Sequence, residues 1–539
     1  MPEPTNPAET TITPPASGLF EYERVVYPDH WHTQTYPDRL ATIATLFGLQ
    51  PASPERCRVL ELGCGGGWNL VAMAHGLPGS TFVGVDLAAG PLERGRQLAQ
   101  QLGLQNVSLH ALDLMDVDDA FGTFDYVVAH GLYSWVPAAV RDRLLALCKA
   151  RLAPQGVAYV SYNTYPGKYL PRAMRESMLY YCRRFDDPRE RAGHARAFLR
   201  FLRDAQKEGS FERQLLDREV ERVEKLPDNY FYHDDLAEIN EPCYFRDFVA
   251  HAAAHGLQFL GEANFHEMSD MTLPDKVAEV CRGLAQDHND WEQYLDLVVQ
   301  RQFRQTLLCH DEAAVSRAPD PERMRAFYVA APVAEASDVS FAGEAAATFR
   351  GFHPEAVLQT DDPLLAAALQ HLRARWPVFE PLDALVDAAR RELSRTHPGR
   401  TTSREDDLRV MGLTVLRLYG SRFLSLRVRR PPVEPAATER PEASALVRLQ
   451  VQGTRSVSSA VGEDVKVTDP LERLLLPLLD GTRDRHALVD ALLGLAEEGA
   501  FVVEQDGAPV ADPSSRRQLL GLRLEEALQH LAHQGLFTS

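Results

Sequence analysis

The chain has 539 residues, 45% of them hydrophobic, so it can build two to four domains with sizeable cores. Its 57 basic and 76 acidic side chains give a formal net charge of −19, which disfavours a general binder of nucleic acid or anionic membrane. Seven cysteines without a CxxC pair, no apolar run of bilayer length and no cationic opening followed by an apolar core suggest a cytoplasmic protein with reduced thiols and no membrane insertion.

In chain order, residues 1–19 carry five prolines among Thr, Glu and Ala and are expected to be disordered. Residues 20–36 (FEYERVVYPDHWHTQTY) form an aromatic arm that either folds over a ligand as a lid or packs on the domain surface. A helix is expected over 37–49. Residues 58–70 (RVLELGCGGGWNL) then run from a buried strand through a glycine turn into a helix that resumes at Trp68. Gly63, Gly65 and Gly67 let backbone amides approach a ligand closely. A dinucleotide fingerprint would need glycine at position 68, which holds Trp68. Glu61 stands two residues ahead of the first glycine. A carboxylate there suits a ligand with an amino group and repels a pyrophosphate. The pattern resembles the first motif of class I S-adenosylmethionine-dependent methyltransferases.

Strands are predicted over 81–86 (TFVGVD), 107–112, 124–130 (FDYVVAH) and 156–162 (GVAYVSY), with helices over 91–102 and 137–152. This alternation argues for a doubly wound α/β sheet, whose ligands bind beyond the carboxyl ends of the strands. Glu61, Asp86, Asp113, His130 and Asn163 all fall at or just past such ends. Residues 172–226 read as a helical insertion without strands. A helix over 245–255 and strands over 257–262 and 303–309 would complete a mixed seven-stranded sheet with an antiparallel edge pair. Three helices (363–373, 382–393, 404–417) and a strand (423–428) suggest a winged-helix-like unit, and 446–539 a second small one. The expected domains are 20–165 plus 241–312 as the core with its N-terminal lid, 166–240 as the insertion, 319–430 as a winged-helix-like domain, 431–445 as a linker, and 446–539 as the last domain.

The Asp86 carboxylate can accept hydrogen bonds from ribose hydroxyls, or cap the helix that follows. Leu87 beside it joins the cofactor set. Asp113 and Leu114 can meet the amino group and face of an adenine, with Asp116 and Asp118 as close competitors. Glu61 acts either on a methionine amino group or as a structural acid on loop amides. The run AHGLYSWVP at 129–137 sits where an acceptor would meet a methyl donor. His130, Tyr133 and Trp135 cluster past the fourth strand, and Tyr162, Asn163 and Tyr165 past the fifth. Methyl transfer is an in-line displacement in which positioning dominates, and aromatic faces attract a sulfonium or ammonium. His130 either serves as a base or bonds the cofactor or the loop, and the aromatics either touch the acceptor or pack the next helix. The clusters at His30-x-His32, His233-Asp234-Asp235 and His310-Asp311-Glu312 lack a recognised ligand spacing, so no metal is expected. Cys64 reads as a packing residue, and no GxSxG or P-loop signature is present.

The runs QTYPDRLATIATLFGL, RVLELGCGGGWNL, FDYVVAHGLYSWVP, GVAYVSYNTYPG, YFYHDDLAEINEPCYFRDFVAHAAAHGLQFLGEA and FRQTLLCH resemble bacterial methyltransferases that carry a methyltransferase regulatory domain. That family includes protein-lysine methyltransferases that modify outer-membrane proteins of rickettsiae. VTDPLERLLLPLLDGTRDRHALVDAL also resembles small winged modules that bind leader peptides. The resemblance implies a Rossmann-like class I core with helical insertion and C-terminal winged-helix-like α+β domains. It also implies S-adenosyl-L-methionine as cofactor and S-adenosyl-L-homocysteine as product. Glu61, Gly63, Gly65, Gly67, Asp86 and Asp113 carry over as cofactor contacts, and 133–136 as acceptor-side. The chain departs from the family at Gly66 or Gly67, where a polar residue is common, and in its arm.

The expected function is methyl transfer to protein lysine side chains, with His130, Tyr133, Trp135 and Asn163 on the catalytic side and His130 also beside the cofactor. A small-molecule N- or O-methyltransferase and a catalytically silent S-adenosylmethionine-binding module are the alternatives, and a homodimer is allowed. A DNA-binding regulator is disfavoured, because residues 313–430 hold 17 basic and 15 acidic side chains.

Overall fold

The computed structural model describes residues 30–538 apart from 271–272, 319, 336–346, 352–355, 397–400 and 506–507. The expectations for residues 1–19 and for the first ten residues of the arm lie outside the described residues.

Seven strands, β1 (Arg58–Leu62), β2 (Thr81–Asp86), β3 (Val107–Ala111), β4 (Phe124–Ala129), β5 (Leu152–Asn163), β6 (Leu257–Glu262) and β7 (Phe303–His310), form one sheet in the order β3-β2-β1-β4-β5-β7-β6. The first five run parallel, and β7 lies antiparallel between β5 and β6. This is the mixed Rossmann-like sheet that the alternation of strand and helix signals predicts. The strand order reverses between β1 and β4, so a crevice opens above their carboxyl ends. β5 begins at Leu152, ahead of the predicted start, and its register against β4 shifts between Phe124 and Tyr126.

Helices α1 (Pro37–Leu46), α2 (Trp68–Gly76), α3 (Ala89–Gln101) and α4 (Ala138–Arg151) flank the parallel half. The insertion consists of α5 (Tyr169–Cys182), α6 (Pro188–Asp204), α7 (Phe211–Lys225) and α8 (Asp228–Asp235) around its own core of Met178, Leu199, Val220 and Phe231. Helices α9 (Phe245–Ala254), α10 (Asp275–Leu284) and α11 (His288–Val299) accompany the last two strands. Side chains alternate along a strand, so the sheet has two different faces. Val59, Val128 and Tyr159 point to the layer that holds Leu40 and Ile43 of α1. Leu60, Leu62, Val127 and Val160 point to the layer that holds Leu144 of α4 and Phe248 of α9.

A buried ion-pair cluster joins β7 to its neighbours. Arg304 has no exposed surface and meets Glu262 of β6 at 2.6 Å, with Glu292 and Asp296 of α11 at 3.1 and 2.8 Å. Its guanidinium also lies 4.0 Å from the Phe245 ring centroid. Several charge-assisted hydrogen bonds offset the desolvation of these charges.

Beyond the sheet, α12 (Pro363–Arg375), α13 (Leu382–Thr396) and α14 (Arg404–Gly420) pack with short strands that include Tyr328–Ala330 and Ser425–Arg427. Their core of Leu369, Leu385, Val415 and Leu426 is continuous with the α1 layer of the sheet. The last unit comprises α15 (Ala445–Gly453), α16 (Pro470–Leu475), α17 (Arg485–Glu497) and α18 (Pro513–His533), with two small antiparallel hairpins. It has a separate core around Leu475, Leu488 and Leu528. Helix α1 ties the parts together, since Asp38 lies 3.5 Å from Arg427 and Arg39 pairs with Glu463.

Candidate active site

The turn after β1 folds because three glycines adopt left-handed backbone angles, with φ of 72° at Gly63, 55° at Gly65 and 73° at Gly67. At Gly67 the constraint is double, since a Cβ there would also sit 2.7 Å from Leu109. The amides of Gly63 and Cys64 donate to the Val85 carbonyl, at 2.8 and 3.1 Å, and pin the turn against the end of β2.

Asp86 stands at that end. One carboxylate oxygen accepts from the Gly65 amide at 2.8 Å and the other from the Ala88 amide at 2.9 Å. The capping role and a ligand role are therefore not exclusive, because each oxygen keeps a second lone pair. Burial pushes the Asp86 pKa up, opposed by the amides of Ala88, Gly65 and Leu87.

Glu61 is 3% exposed and faces the α1 layer. Its Oε1 accepts from Asn69 Nδ2 at 3.0 Å, while its Oε2 is buried with no hydrogen-bond partner among the described residues. Burial lifts its pKa to about 8, with the Asn69 bond opposing and the Asp86 charge assisting. Oε2 so placed lacks a cationic or donor partner, and the amino group of a methionine moiety would supply one. The donor set thus fits S-adenosylmethionine.

Past the end of β3 lie the residues expected at the adenine. Asp113 caps a short turn through the Met115 amide at 2.9 Å. Leu114 is turned into the core, at 8% exposure, and the neighbouring exposed side chain is Met115. Leu87 and Met115, at 48% and 46% exposure, are large apolar groups left bare at the ends of β2 and β3.

Strand parity divides the aromatic residues. His130 lies in the α1 layer, where its ring stacks on His32 of the arm with centroids 3.6 Å apart. Its Nδ1 is 2.8 Å from the Tyr159 hydroxyl, which donates onward to Gln305 at 3.0 Å. With that proton committed, the hydroxyl accepts from His130, which places the His130 proton on Nδ1 and leaves a lone pair on Nε2. Burial drives the pKa of His130 well down and brings that of His32 to about 4. Tyr133 turns to the opposite layer. It is 4% exposed, packs edge-on to Phe248 at 5.0 Å and meets His251 Nδ1 through its hydroxyl at 2.8 Å. Tyr162 stacks on the same Phe248 at 4.1 Å. Trp135 is half-buried in the loop between them. Asn163 is 5% exposed, takes its amide to Ser134 Oγ at 2.9 Å and donates to Asn240 at 2.9 Å, which links β5 to the segment after α8. Tyr165 stacks on Tyr169 at 4.2 Å and accepts from Arg172 at 2.6 Å.

Glu61, the glycines, Asp86 and His130 therefore gather around the β1/β4 crevice, Asp113 lies past the end of the edge strand β3, and Tyr133 and Tyr162 are separated from the crevice residues by the sheet. Two residues of the site had escaped sequence reasoning. Asn69 binds Glu61, Thr35 Oγ1 at 2.9 Å and the His32 amide at 2.8 Å, so it couples the arm to the glycine turn. Its signal was a weak helix former in the first turn of an otherwise apolar helix. Tyr230 of α8 packs on His30 at 5.4 Å and brings the insertion to the arm, which no local pattern announces.

Residues 59–156 match the family described as "Methyltransferase domain", 227–310 the "Predicted methyltransferase regulatory domain", and 439–536 the "PKMT, C-terminal winged helix domain". The chain is 30% identical over 508 residues to the uncharacterized protein RP789 of Rickettsia prowazekii, covering 93% of this chain and 90% of that protein. It is 36% identical to RP028 of the same organism over 232 residues, 43% of this chain and 93% of that one. The solved structure of PKMT2 from Rickettsia typhi in complex with AdoHcy is similar with a TM-score of 0.84 at 27% identity, covering 95% of this chain and 100% of that chain.

Proposed function

The chain belongs to the bacterial methyltransferase family that joins a class I core to a regulatory domain and a PKMT-type C-terminal winged helix, and we propose that it methylates lysine side chains of proteins with S-adenosylmethionine. The observation that carries this reading is the likeness to PKMT2 along the whole chain, winged helix included. The orphaned Glu61 Oε2 supports the cofactor independently.

When bound, S-adenosylmethionine supplies an electrophilic methyl group on a sulfonium. In our reading Glu61 holds its amino group, Asp86 takes the ribose hydroxyls, the glycine turn admits the backbone, and Asp113 with Leu87 and Met115 receives the adenine. His130 stays neutral, so it adds no positive charge beside a cationic ligand. Its Nε2 lone pair is available to accept a hydrogen bond from the acceptor amine. The His32 stack above it excludes water from the reacting centre. Trp135 and Asn163 border the acceptor side, and Tyr133 positions the loop from beneath.

Transfer of radiolabelled methyl from S-adenosylmethionine into a lysate of the source organism tests this, with the Asp86→Ala protein as control. Label recovered as methyl-lysine from the protein fraction is the expected result. Label confined to small molecules, or equal transfer by the control, would overturn it.

A further inference from the structure

Away from the crevice, Asp142 of α4 meets two histidines of the neighbouring α9. His255 Nε2 lies 3.0 Å and His251 Nε2 3.5 Å from Asp142 Oδ1, and the three ligand atoms all fall within 4.8 Å of one another. The histidines are four residues apart, which sets them on one helical face, with His255 at the carboxyl cap. Among the described residues this trio is assembled by the fold, whereas none of the three histidine-rich runs noted in the sequence gathers such a set.

We propose that Asp142, His251 and His255 form a divalent-metal site of the zinc class, with a fourth position for water. Zinc bound to nitrogen and oxygen at about 2.0–2.1 Å in a tetrahedron holds its ligand atoms about 3.3 Å apart, close to both measured separations. Two neutral imidazoles and one carboxylate suit zinc or its transition-metal neighbours, not the oxygen-seeking magnesium or calcium. The site opens to solvent, since the Asp142 side chain is 66% exposed and those of His251 and His255 are 28% and 18% exposed. The nearby cations are already matched: Arg141 pairs with Glu241, and Lys149 with Asp311 and Glu312.

A second contact points the same way. A histidine bound through Nε2 keeps its proton on Nδ1 and needs an acceptor for it. The Tyr133 hydroxyl lies 2.8 Å from His251 Nδ1 and provides that acceptor. Tyr133 belongs to the loop that also carries His130 and Trp135. A bound metal therefore ties α4, α9 and this loop together. The inference does not depend on the identity of the methyl acceptor.

The test titrates the full chain, stripped with chelator, with Zn²⁺ by calorimetry and with Co²⁺ by absorption. One Co²⁺ per chain is expected, with tetrahedral ligand-field bands and no thiolate charge-transfer band, which separates the site from the seven free cysteines. Asp142→Asn and His255→Ala are each expected to weaken binding at least about tenfold, with unchanged circular dichroism. Absence of saturable binding, a thiolate band, or equal affinity in wild type and both variants would overturn the proposal.

Discussion

The imidazole of His32 stacks on that of His130, with an interplanar angle of 27°, so the N-terminal arm rests on the residue that follows β4. Both rings are held neutral by burial. The stack would be repulsive with two imidazolium ions, and a single one would repel a sulfonium.

The arm is anchored through Asn69, whose amide serves Glu61, Thr35 and His32 together. Asn69→Ala removes these hydrogen bonds at about 1–3 kcal/mol and is expected to weaken S-adenosylmethionine binding about tenfold. Calorimetry measures the affinity, and hydrogen exchange at residues 33–36 reports the arm. A looser arm with unchanged affinity would sever the link between the two.

With Glu61 holding the ligand's amino group as proposed, cofactor binding is expected to depend on pH. Its pKa in the fold is raised from the ordinary 4.5 to about 8, so the ligand-free folded state keeps a proton that the unfolded chain releases. Stability of the ligand-free protein therefore falls as pH rises through that window. A cationic ligand favours the ionised form and expels the proton, so affinity should climb between about pH 6 and about pH 8 and then level. Calorimetry in buffers of different ionisation enthalpy should detect the released proton. Glu61→Gln should abolish both the release and the slope; a slope that survives it would have another source.

Leu87 and Met115 expose large apolar surface that a folded monomer gains nothing by leaving bare. Leu87→Ser and Met115→Ser are each expected to raise the cofactor KM by a factor of several, for about 1–2 kcal/mol of lost apolar contact, with kcat nearly retained. Steady-state kinetics separates the two constants. A fall in kcat alone would remove these residues from the adenine side.

Arg304→Met leaves Glu262 and Glu292 buried without their cation, while Asp296 keeps Arg301 at 2.5 Å. A loss of about 3–5 kcal/mol is expected at neutral pH. Burial already lifts Glu292 to about 7 in the intact cluster, and removing the cation lifts it further. The folded variant then holds protons that its unfolded chain releases, so its deficit should grow as pH rises. Urea melts at about pH 5 and about pH 8 give the comparison, and equal deficits would sink this account.

The seven strands were readable because each carries a local signature. The runs Thr81–Asp86 and Leu257–Glu262 are apolar, short and closed by an acid, and they form strands over those same residues. Helices came through with ends displaced by a few residues: Pro363–Arg375 and Arg404–Gly420 both run past their predicted ends, because tertiary packing extends the last turn. The expected strand over 423–428 contracts to Ser425–Arg427, since only three residues find a pairing partner.

The site divides in the same way. Glu61, the three glycines and Asp86 were legible because chemistry and backbone conformation act there within a few residues of chain. Sequence alone thus determined the glycine turn with its two flanking acids and the class of the fold. The arrangement of the aromatic residues was decided in three dimensions. The alternation of side chains along β4 and β5 sends Tyr159 to the arm and Tyr162 to Phe248, and the loop after β4 divides His130 from Tyr133 in the same way. The stacking of His32 on His130, the three-way role of Asn69 and the meeting of His251 and His255 with Asp142 are likewise products of packing. Each joins residues whose separation along the chain carries no pattern, and only the burial of a shared core brings them within hydrogen-bonding distance.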